Sequence, residues 1–140
     1  MSDRFFLDTN IFAYVFDLGA PLKARRSDAL IRKGIGTGNG IVSYQVVQEF
    51  FNVAFKKFLK PMSAKEAHAY FASVFRPLLG VMFSPALLLR GLGIREKHAI
   101  PWYDALIVAA AIESGCKTLY TEDLQDGREI DGVKIQNPFS

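Results

Sequence analysis

The amino-acid sequence predicts an α/β fold, in which helices cover both faces of a mostly parallel sheet as a three-layer α/β/α sandwich. Short apolar runs alternate with longer helical stretches along all 140 residues. Residues 105–112 read ALIVAAAI and are apolar all round, which is typical of a helix packed inside a domain. Because no repeat, low-complexity tract or linker interrupts this alternation, we expect one domain of residues 1–140.

Five predicted strands share a short apolar sequence bounded by turn or capping residues. They are residues 4–7, 41–42, 80–83, 117–120 and 133–135. Helical sequence follows Asp8-Thr9-Asn10, and five further predicted helices are residues 21–33, 44–59, 63–75, 85–97 and 101–114. Ser43 and Ser84 are placed to cap the starts of helices, and Gly34 and Gly115 are placed to end them.

The composition excludes several classes of protein. Half of the residues are hydrophobic and 22% are charged, which excludes a disordered or collagen-like chain. The single cysteine, Cys116, cannot form an internal disulfide and indicates a reducing compartment. The longest charge-free apolar runs fall short of the ~18 residues that a membrane span requires, and we see no signal peptide. We therefore expect a cytoplasmic protein with no membrane partner.

The charges are distributed unevenly along the chain. Residues 1–112 carry 14 basic and 8 acidic side chains, whereas residues 113–140 carry 3 basic and 6 acidic ones. The basic residues form short clusters, which are Lys23/Arg25/Arg26, Arg32/Lys33, Lys56/Lys57/Lys60 and Arg95/Lys97. Such clusters can either follow a phosphate backbone or form an ordinary solvated face.

Four acidic residues lie where a parallel sheet binds ligands, beyond the carboxyl ends of its strands. Asp8 follows the first predicted strand and Asp123 follows the fourth. Asp104 lies in the first turn of the apolar helix, and Glu49 lies in the helix after the second strand. Taken singly, each acid also has a structural explanation: a helix cap, a polar helix face, a favourable position on the helix dipole, or a turn.

The four acids together are more informative than any one of them. Carboxylates that converge on one edge repel each other unless a cation lies between them. The hard cations that prefer oxygen ligands are Mg²⁺ and Mn²⁺, and such an ion activates water and stabilises charge on a phosphoryl group. Thiolate or imidazole ligation is disfavoured, because Cys116, His68 and His98 show no metal-ligand spacing.

Four ordered motifs resemble a known family. They are FLDTNI from Phe6, VQEF from Val47, YDALIVAAA from Tyr103 and LYTEDLQDG from Leu119. Each motif alone is short, but the ordered set resembles the PIN domain, and more narrowly the VapC-type toxin ribonucleases of toxin–antitoxin pairs. This resemblance implies a five-stranded parallel sheet of order 3-2-1-4-5, with Asp8 and Asp123 at the ends of adjacent central strands. It also implies a homodimer and a small antitoxin protein that closes the site.

The resemblance assigns roles to individual residues. It implies that Asp8, Glu49 and Asp104 bind the metal and that Asp123 completes the acidic pocket. Three small polar residues would support the pocket by hydrogen bonding, and they are Thr9, Asn10 and Thr121. Two acids beside the fourth motif, Glu122 and Asp126, leave the assignment of the fourth acid open.

The sequence therefore predicts an Mg²⁺- or Mn²⁺-dependent endoribonuclease that hydrolyses phosphodiester bonds of single-stranded or loop RNA with metal-activated water. A second hypothesis is a catalytically silent module that binds nucleic acid or protein through the basic clusters, and a third is a structure-specific DNA nuclease. The four acids argue against the second, because RNA binding alone does not require them. The absence of an arch or clamp segment argues against the third.

Several aromatic residues have two interpretations from sequence. Trp102 and Tyr103 flank Asp104, and they either stack a base near the site or pack one end of a buried helix. The phenylalanines of the third predicted helix either pack the core or form an interface, and they are Phe50, Phe51, Phe55 and Phe58. The glycine-rich run at residues 34–40 follows a helix and precedes a strand, so it is not a nucleotide-binding loop.

Overall fold

A computed structural model describes residues 3–140, and within this range six strands alternate with seven helices. The strands are β1 Phe5–Leu7, β2 Gly40–Ser43, β3 Leu79–Val81, β4 Thr118–Tyr120, β5 Glu129–Ile130 and β6 Val133–Gln136. The helices are α1 Thr9–Tyr14, α2 Pro21–Thr37, α3 Tyr44–Lys56, α4 Ala64–Tyr70, α5 Arg76–Leu78, α6 Pro85–His98 and α7 Trp102–Glu113. A π-helical stretch, Phe71–Phe75, joins α4 to α5. The α/β prediction is confirmed.

The six strands form one sheet of order β3-β2-β1-β4-β6-β5, in which all neighbours are parallel except β5 and β6. The first five positions in this order are those of the predicted 3-2-1-4-5 sheet. The predicted strand count of five is wrong, because β5 adds an antiparallel edge strand to β6. The hairpin turn between them consists of Asp131 and Gly132, whose φ angles are 47° and 89°. A two-residue Asp-Gly turn with positive φ angles suits the twist of a hairpin, so Asp131-Gly132 is the sequence signal that indicates β5.

The predicted end of α2 at Gly34 is also wrong, because the helix continues to Thr37 and Gly38 ends it at φ 75°. Gly34 is buried inside the helix, where a Cβ atom would lie 3.0 Å from the Cα of Gly40. Gly40 begins β2, so the two glycines let the helix and the strand approach closely. Gly34 is therefore required for packing and does not end the helix.

The helix starts follow the sequence more closely than the helix ends. Ser43 and Ser84 accept hydrogen bonds from the backbone N–H groups of Val46 and Leu87, as their cap positions predict. By contrast, α3 ends at Lys56, about one turn before the predicted residue 59. Cap side chains define starts locally, whereas helix ends depend on the tertiary contacts that follow them.

Phe50 lies at the centre of an aromatic core beside the sheet. Its ring is fully buried, stacks on Tyr70 at 5.1 Å between ring centroids and meets Phe75 edge-on at 5.2 Å. Core packing is therefore the correct interpretation for Phe50, whereas Phe55 on the outer side of α3 is 47% exposed. No helix within residues 3–140 is long and apolar enough to cross a membrane.

The approach of α2 to β2 predicts a contrast between two glycine substitutions. A Cβ atom on Gly40 would lie 2.6 Å from the Gly34 Cα and 2.9 Å from Leu78 Cδ2, so we expect Gly40→Ala to lower the free energy of unfolding by about 1–3 kcal/mol. Gly36 lies in α2 with open space around it, so Gly36→Ala should raise that free energy by about 0.5–1 kcal/mol. Urea unfolding of both variants checks this, and equal effects would contradict the packing argument.

Candidate functional site

The candidate site is a cavity of about 300 Å³ at the carboxyl ends of β1 and β4. These strands are parallel neighbours at the centre of the sheet, and the chain leaves them in different directions, through α1 and through the loop before β5. This divergence creates the crevice in which open α/β sheets bind ligands. The four predicted acids line the cavity together, and they are Asp8, Glu49, Asp104 and Asp123.

Three of the four acids bring their carboxylates into one group. Asp8, Asp104 and Asp123 each provide one oxygen, and these three oxygens lie within 4.8 Å of one another. Glu49 lies outside this group, and its Oε1 accepts a hydrogen bond from the Thr9 hydroxyl at 3.0 Å. The structure thus places Glu49 on the cavity wall, next to the three-carboxylate group.

Asp8 connects the end of β1 to the start of α1. Its Oδ1 accepts a hydrogen bond from the Thr9 backbone N–H at 2.7 Å, which caps α1, and its Oδ2 accepts one from the Thr121 hydroxyl at 2.8 Å. The cap that the sequence allowed for Asp8 is therefore present in a residue that also faces the acidic cavity. Because the capped helix and Thr121 both hold this side chain, Asp8 has a fixed orientation.

Asp123 is held by Asn10 and Thr121. Asn10 Nδ2 donates to Asp123 Oδ2 at 3.1 Å, and the Thr121 hydroxyl accepts a hydrogen bond from the Asp123 backbone N–H at 3.1 Å. Thr121, which is fully buried, therefore contacts two of the three grouped acids. The three small polar residues that the resemblance named all make hydrogen bonds to acids of the cavity.

The acids beside Asp123 have other partners. The Tyr14 hydroxyl donates a hydrogen bond to Glu122, and Lys23 Nζ lies 3.0 Å from Glu122 Oε2. Asp126 Oδ1 accepts a hydrogen bond from the Asn137 backbone N–H at 2.8 Å. Asp123 is therefore the acid of this loop that lines the cavity, which the sequence had left open.

Burial and crowding disfavour negative charge in the cavity. Desolvation raises the pKa of Asp8 to about 7, and repulsion from Asp123 and Glu49 adds to the effect. The hydrogen bonds from Thr9 and Thr121 act in the opposite direction without cancelling it. Desolvation also raises the pKa of Asp104, again with repulsion from Asp123 and Glu49. A cation in the cavity would stabilise all of these carboxylates.

The donor set fits a hard divalent cation. Carboxylate oxygens are the ligands that Mg²⁺ and Mn²⁺ prefer, and the three grouped oxygens belong to side chains that other hydrogen bonds or a helix start hold in place. Asn10 Oδ1 is a buried acceptor with no hydrogen-bond partner within residues 3–140. Such an acceptor suits a water molecule of the kind that Mg²⁺ retains.

Two polar residues that line the cavity, Gln45 and Tyr103, were not predicted as site residues. Gln45 Nε2 donates to the backbone carbonyl of Tyr103 at 3.2 Å, which connects α3 to the start of α7. The signal for Gln45 was its position one helical turn before Glu49 on the same face of α3. Base stacking is one of the two interpretations of Tyr103 from sequence, and its side chain is 64% exposed.

Fold and site together define an α/β protein with an acidic pocket at the switch point of its sheet. Comparison with protein families agrees with this description, because the model of the PIN domain family matches residues 5–131. The chain therefore belongs to the PIN domain family.

Solved structures with the same fold come from bacterial toxin–antitoxin systems. A toxin–antitoxin complex from Klebsiella pneumoniae is 18% identical, covers 96% of this chain and 97% of its own, and has a TM-score of 0.70. VapBC2 from Rickettsia felis, bound to a DNA fragment from its promoter, is 19% identical with 95% and 97% coverage and a TM-score of 0.63.

A third similar structure is VapC20 from Mycobacterium tuberculosis, described as a toxin that cleaves the sarcin–ricin loop. It is 15% identical, covers 85% of this chain and 91% of its own, and has a TM-score of 0.61. At these identities the likeness shows a shared fold. No curated protein sequence matches the chain.

The pKa of Asp8 predicts how the metal-free protein responds to pH. Between pH 3.8 and about pH 7, Asp8 keeps its proton in the folded state and releases it in the unfolded state. The contribution of Asp8 to the free energy of unfolding therefore falls as the pH rises through this window. We expect Asp8→Asn to remove that fall. As the pH rises from 4 to 7, the free energy of unfolding of the variant should therefore increase relative to that of the wild type by a few kcal/mol, at about 1.4 kcal/mol per unit of pKa shift.

Urea unfolding in EDTA at a series of pH values measures this gain. Glu96→Gln, an exposed acid on α6, is the control and should keep a constant difference from the wild type. A difference between Asp8→Asn and the wild type that stays constant from pH 4 to pH 7 would contradict the burial effect. Added Mg²⁺ should reduce the difference at high pH, because a bound cation stabilises the charged carboxylate.

Proposed function

We propose that this protein is a divalent-metal-dependent endoribonuclease that acts as the toxin of a toxin–antitoxin pair. The observation that carries the proposal is the group of three carboxylate oxygens within 4.8 Å at the carboxyl ends of β1 and β4. This group costs folding stability in the absence of a cation, because Asp8 is buried beside other acids. A function that needs a bound cation would account for this unfavourable grouping of acids. The similar structures support the toxin–antitoxin context, and VapC20 is a toxin that cleaves the sarcin–ricin loop.

Each acid has a role in this proposal. Asp8, Asp104 and Asp123 would hold Mg²⁺ or Mn²⁺, and Glu49 would add negative charge from the cavity wall while it orients Thr9. When bound, the ion activates water and stabilises charge on the scissile phosphate. Thr121 and Asn10 keep Asp8 and Asp123 in position, so the oxygens need not rearrange when substrate arrives.

The substrate must bring phosphates next to an acidic cavity, so nearby basic residues are required. Lys57 and Lys60 line an apolar groove of about 700 Å³ that shares Ala13 and Val53 with the acidic cavity. Their ammonium groups would offset the repulsion between RNA and the carboxylates by contacting flanking phosphates. Single-stranded or loop RNA fits this arrangement, because its backbone and bases are accessible.

Cleavage of RNA by the purified protein is the direct test. We expect cleavage of a mixed panel of structured RNAs with Mg²⁺ or Mn²⁺, no cleavage in EDTA, and recovery when metal is restored. Asp104→Asn should lower the rate at least about hundredfold, which corresponds to about 2.7 kcal/mol of transition-state stabilisation. Asp104 suits this test because its side chain lies at a helix start, where the isosteric amide preserves the fold.

Glu96→Gln is the matched control, because it removes an exposed acid of α6 and should leave cleavage unchanged. Cleavage that persists in EDTA or in Asp104→Asn would contradict the proposal. Equal RNA binding by the wild type and Asp104→Asn without any cleavage would favour the silent binding module. Cleavage of DNA flaps in preference to RNA would favour the DNA nuclease.

The apolar groove is the proposed binding site for the antitoxin. Its rim carries Leu18 and Leu59, which are 92% and 99% exposed, so it presents apolar surface that a partner can cover. The groove adjoins the acidic cavity through Ala13 and Val53, and a protein segment bound there would also cover Lys57 and Lys60. Occupation of the groove would therefore block access of RNA to the carboxylates. The resemblance also implies a homodimer, and the cytoplasm as the place of action follows from an RNA substrate.

Groove variants should escape the antitoxin. We expect expression of the protein to arrest bacterial growth and co-expression of its antitoxin to restore growth. In the double variant Leu18→Glu, Leu59→Glu, growth should stay arrested, because charged side chains oppose binding of an apolar segment. Leu89→Glu on α6, where the side chain is 65% exposed outside the groove, is the control and should still be rescued. Rescue of the double variant would place the antitoxin on another surface.

A further inference from the structure

Tyr103 is an exposed aromatic residue at the mouth of the acidic cavity. It lies in the first turn of α7, directly before Asp104, and its side chain is 64% exposed. The seven residues after Asp104 are all buried, so α7 enters the core immediately beyond this point. Leaving a large aromatic ring in water forgoes the favourable burial of its apolar surface, so core packing does not account for this residue.

The two aromatic residues before Asp104 have different surroundings. Trp102 packs towards α6, where a Cβ atom on Gly91 would lie 3.6 Å from Trp102 Cζ3. Tyr103 lines the acidic cavity instead, and the hydrogen bond from Gln45 Nε2 to its carbonyl fixes its backbone against α3. The packing interpretation therefore fits Trp102. At Tyr103 the backbone is fixed by a hydrogen bond, and the ring is exposed to solvent beside the cavity.

We propose that the Tyr103 ring stacks on the unpaired nucleobase beside the scissile phosphate and so positions the RNA for cleavage. This inference rests on the proposed ribonuclease function. Asp104, the next residue, belongs to the group of oxygens that would hold the ion and its phosphate. Tyr103 lines the same cavity, so a base of a nucleotide whose phosphate is bound there would lie within reach of its ring. Stacking on an aromatic ring binds any base, because every base has a π-face.

The proposed stacking also selects the form of the RNA. A base in a duplex already stacks on its neighbours and pairs with its partner, and its release is unfavourable. Only an unpaired base is therefore free to lie against the Tyr103 ring. Tyr103 would thus increase the preference of the enzyme for single-stranded and loop RNA over a duplex of the same sequence.

A fluorescent base measures the stacking directly. The probe is a mixed-sequence single-stranded RNA that carries 2-aminopurine at successive positions, because stacking quenches the emission of this base. Binding is measured with Mg²⁺ in the Asp104→Asn background, where cleavage does not interfere. We expect quenching at one or two adjacent positions, its loss in the further variant Tyr103→Ala, and its retention in Tyr103→Phe.

Cleavage kinetics provide the second measurement. On the intact RNA, Tyr103→Ala should lower kcat/KM about tenfold and Tyr103→Phe less than about twofold. On an RNA with an abasic nucleotide at the quenched position, Tyr103→Ala should cleave as fast as the wild type, because no base is left to stack. Phe83→Ala removes another aromatic side chain that is 64% exposed, lies before α6 and does not line the cavity, so it should leave both substrates unaffected.

The outcomes separate this inference from the proposed function. Absence of cleavage by the wild type contradicts the ribonuclease proposal, and the quenching measurement still reports whether Tyr103 contacts a base. Three results would overturn the inference itself. They are the same loss of activity by Tyr103→Ala on the abasic RNA, unchanged quenching in Tyr103→Ala, and a change in its sedimentation that assigns the ring to a contact between copies of the chain.

Discussion

The buried carboxylate of Asp8 is the constraint around which the site is built. Phe5, Phe6 and Leu7 are buried because β1 lies between β2 and β4, so the first residue after this strand emerges inside the protein and not in solvent. An acid at that position loses its hydration, which accounts for the raised pKa. Hydrogen bonds from Thr9 and Thr121 recover part of the cost. The neighbouring acids increase it again, so a cation in the cavity would stabilise the charged form of Asp8.

The acids near the carboxyl ends of the strands are of two kinds: Glu122 has a basic partner, and Asp123 contacts Asn10 and the other acids of the cavity. Glu122 pairs with Lys23 and accepts a hydrogen bond from Tyr14, and Lys23 also lies over the Tyr14 ring at 4.6 Å from its centroid. These contacts connect the loop after β4 to α1 and α2. Asp123, the next residue, contacts Asn10 and the acids of the cavity instead. Glu122 thus anchors the loop that carries Asp123 to the cavity.

The helices that bring Asp104 and Glu49 to the cavity use opposite kinds of surface. In α7 the residues from Ala105 to Ala111 are buried, so the helix is fixed by packing on all sides and Asp104 is held at its entrance. In α3 the buried residues, among them Val46 and Phe50, lie on one face, and Glu49 lies with Gln45 at the half-buried edge of that face. Gln45 then connects the two helices through the Tyr103 carbonyl. The packing of α7 and α3 in the core therefore fixes the backbone positions of Glu49 and Asp104, which line the cavity.

The sequence by itself determined the helix starts, the candidate acids and the order of strands and helices apart from β5 and the short helix α5. Capping and periodicity are local, and the four motifs lie in an ordered series. The tertiary structure decided what depends on contacts between distant segments. Gly34 continues α2 because Gly40 packs against it, and three carboxylates group together while Glu49 bonds to Thr9. Whether Trp102 or Tyr103 faces the cavity was likewise decided by the packing of α7 against α6. Distances between side chains more than a few residues apart are set by the packing of the whole core, and local patterns do not encode them.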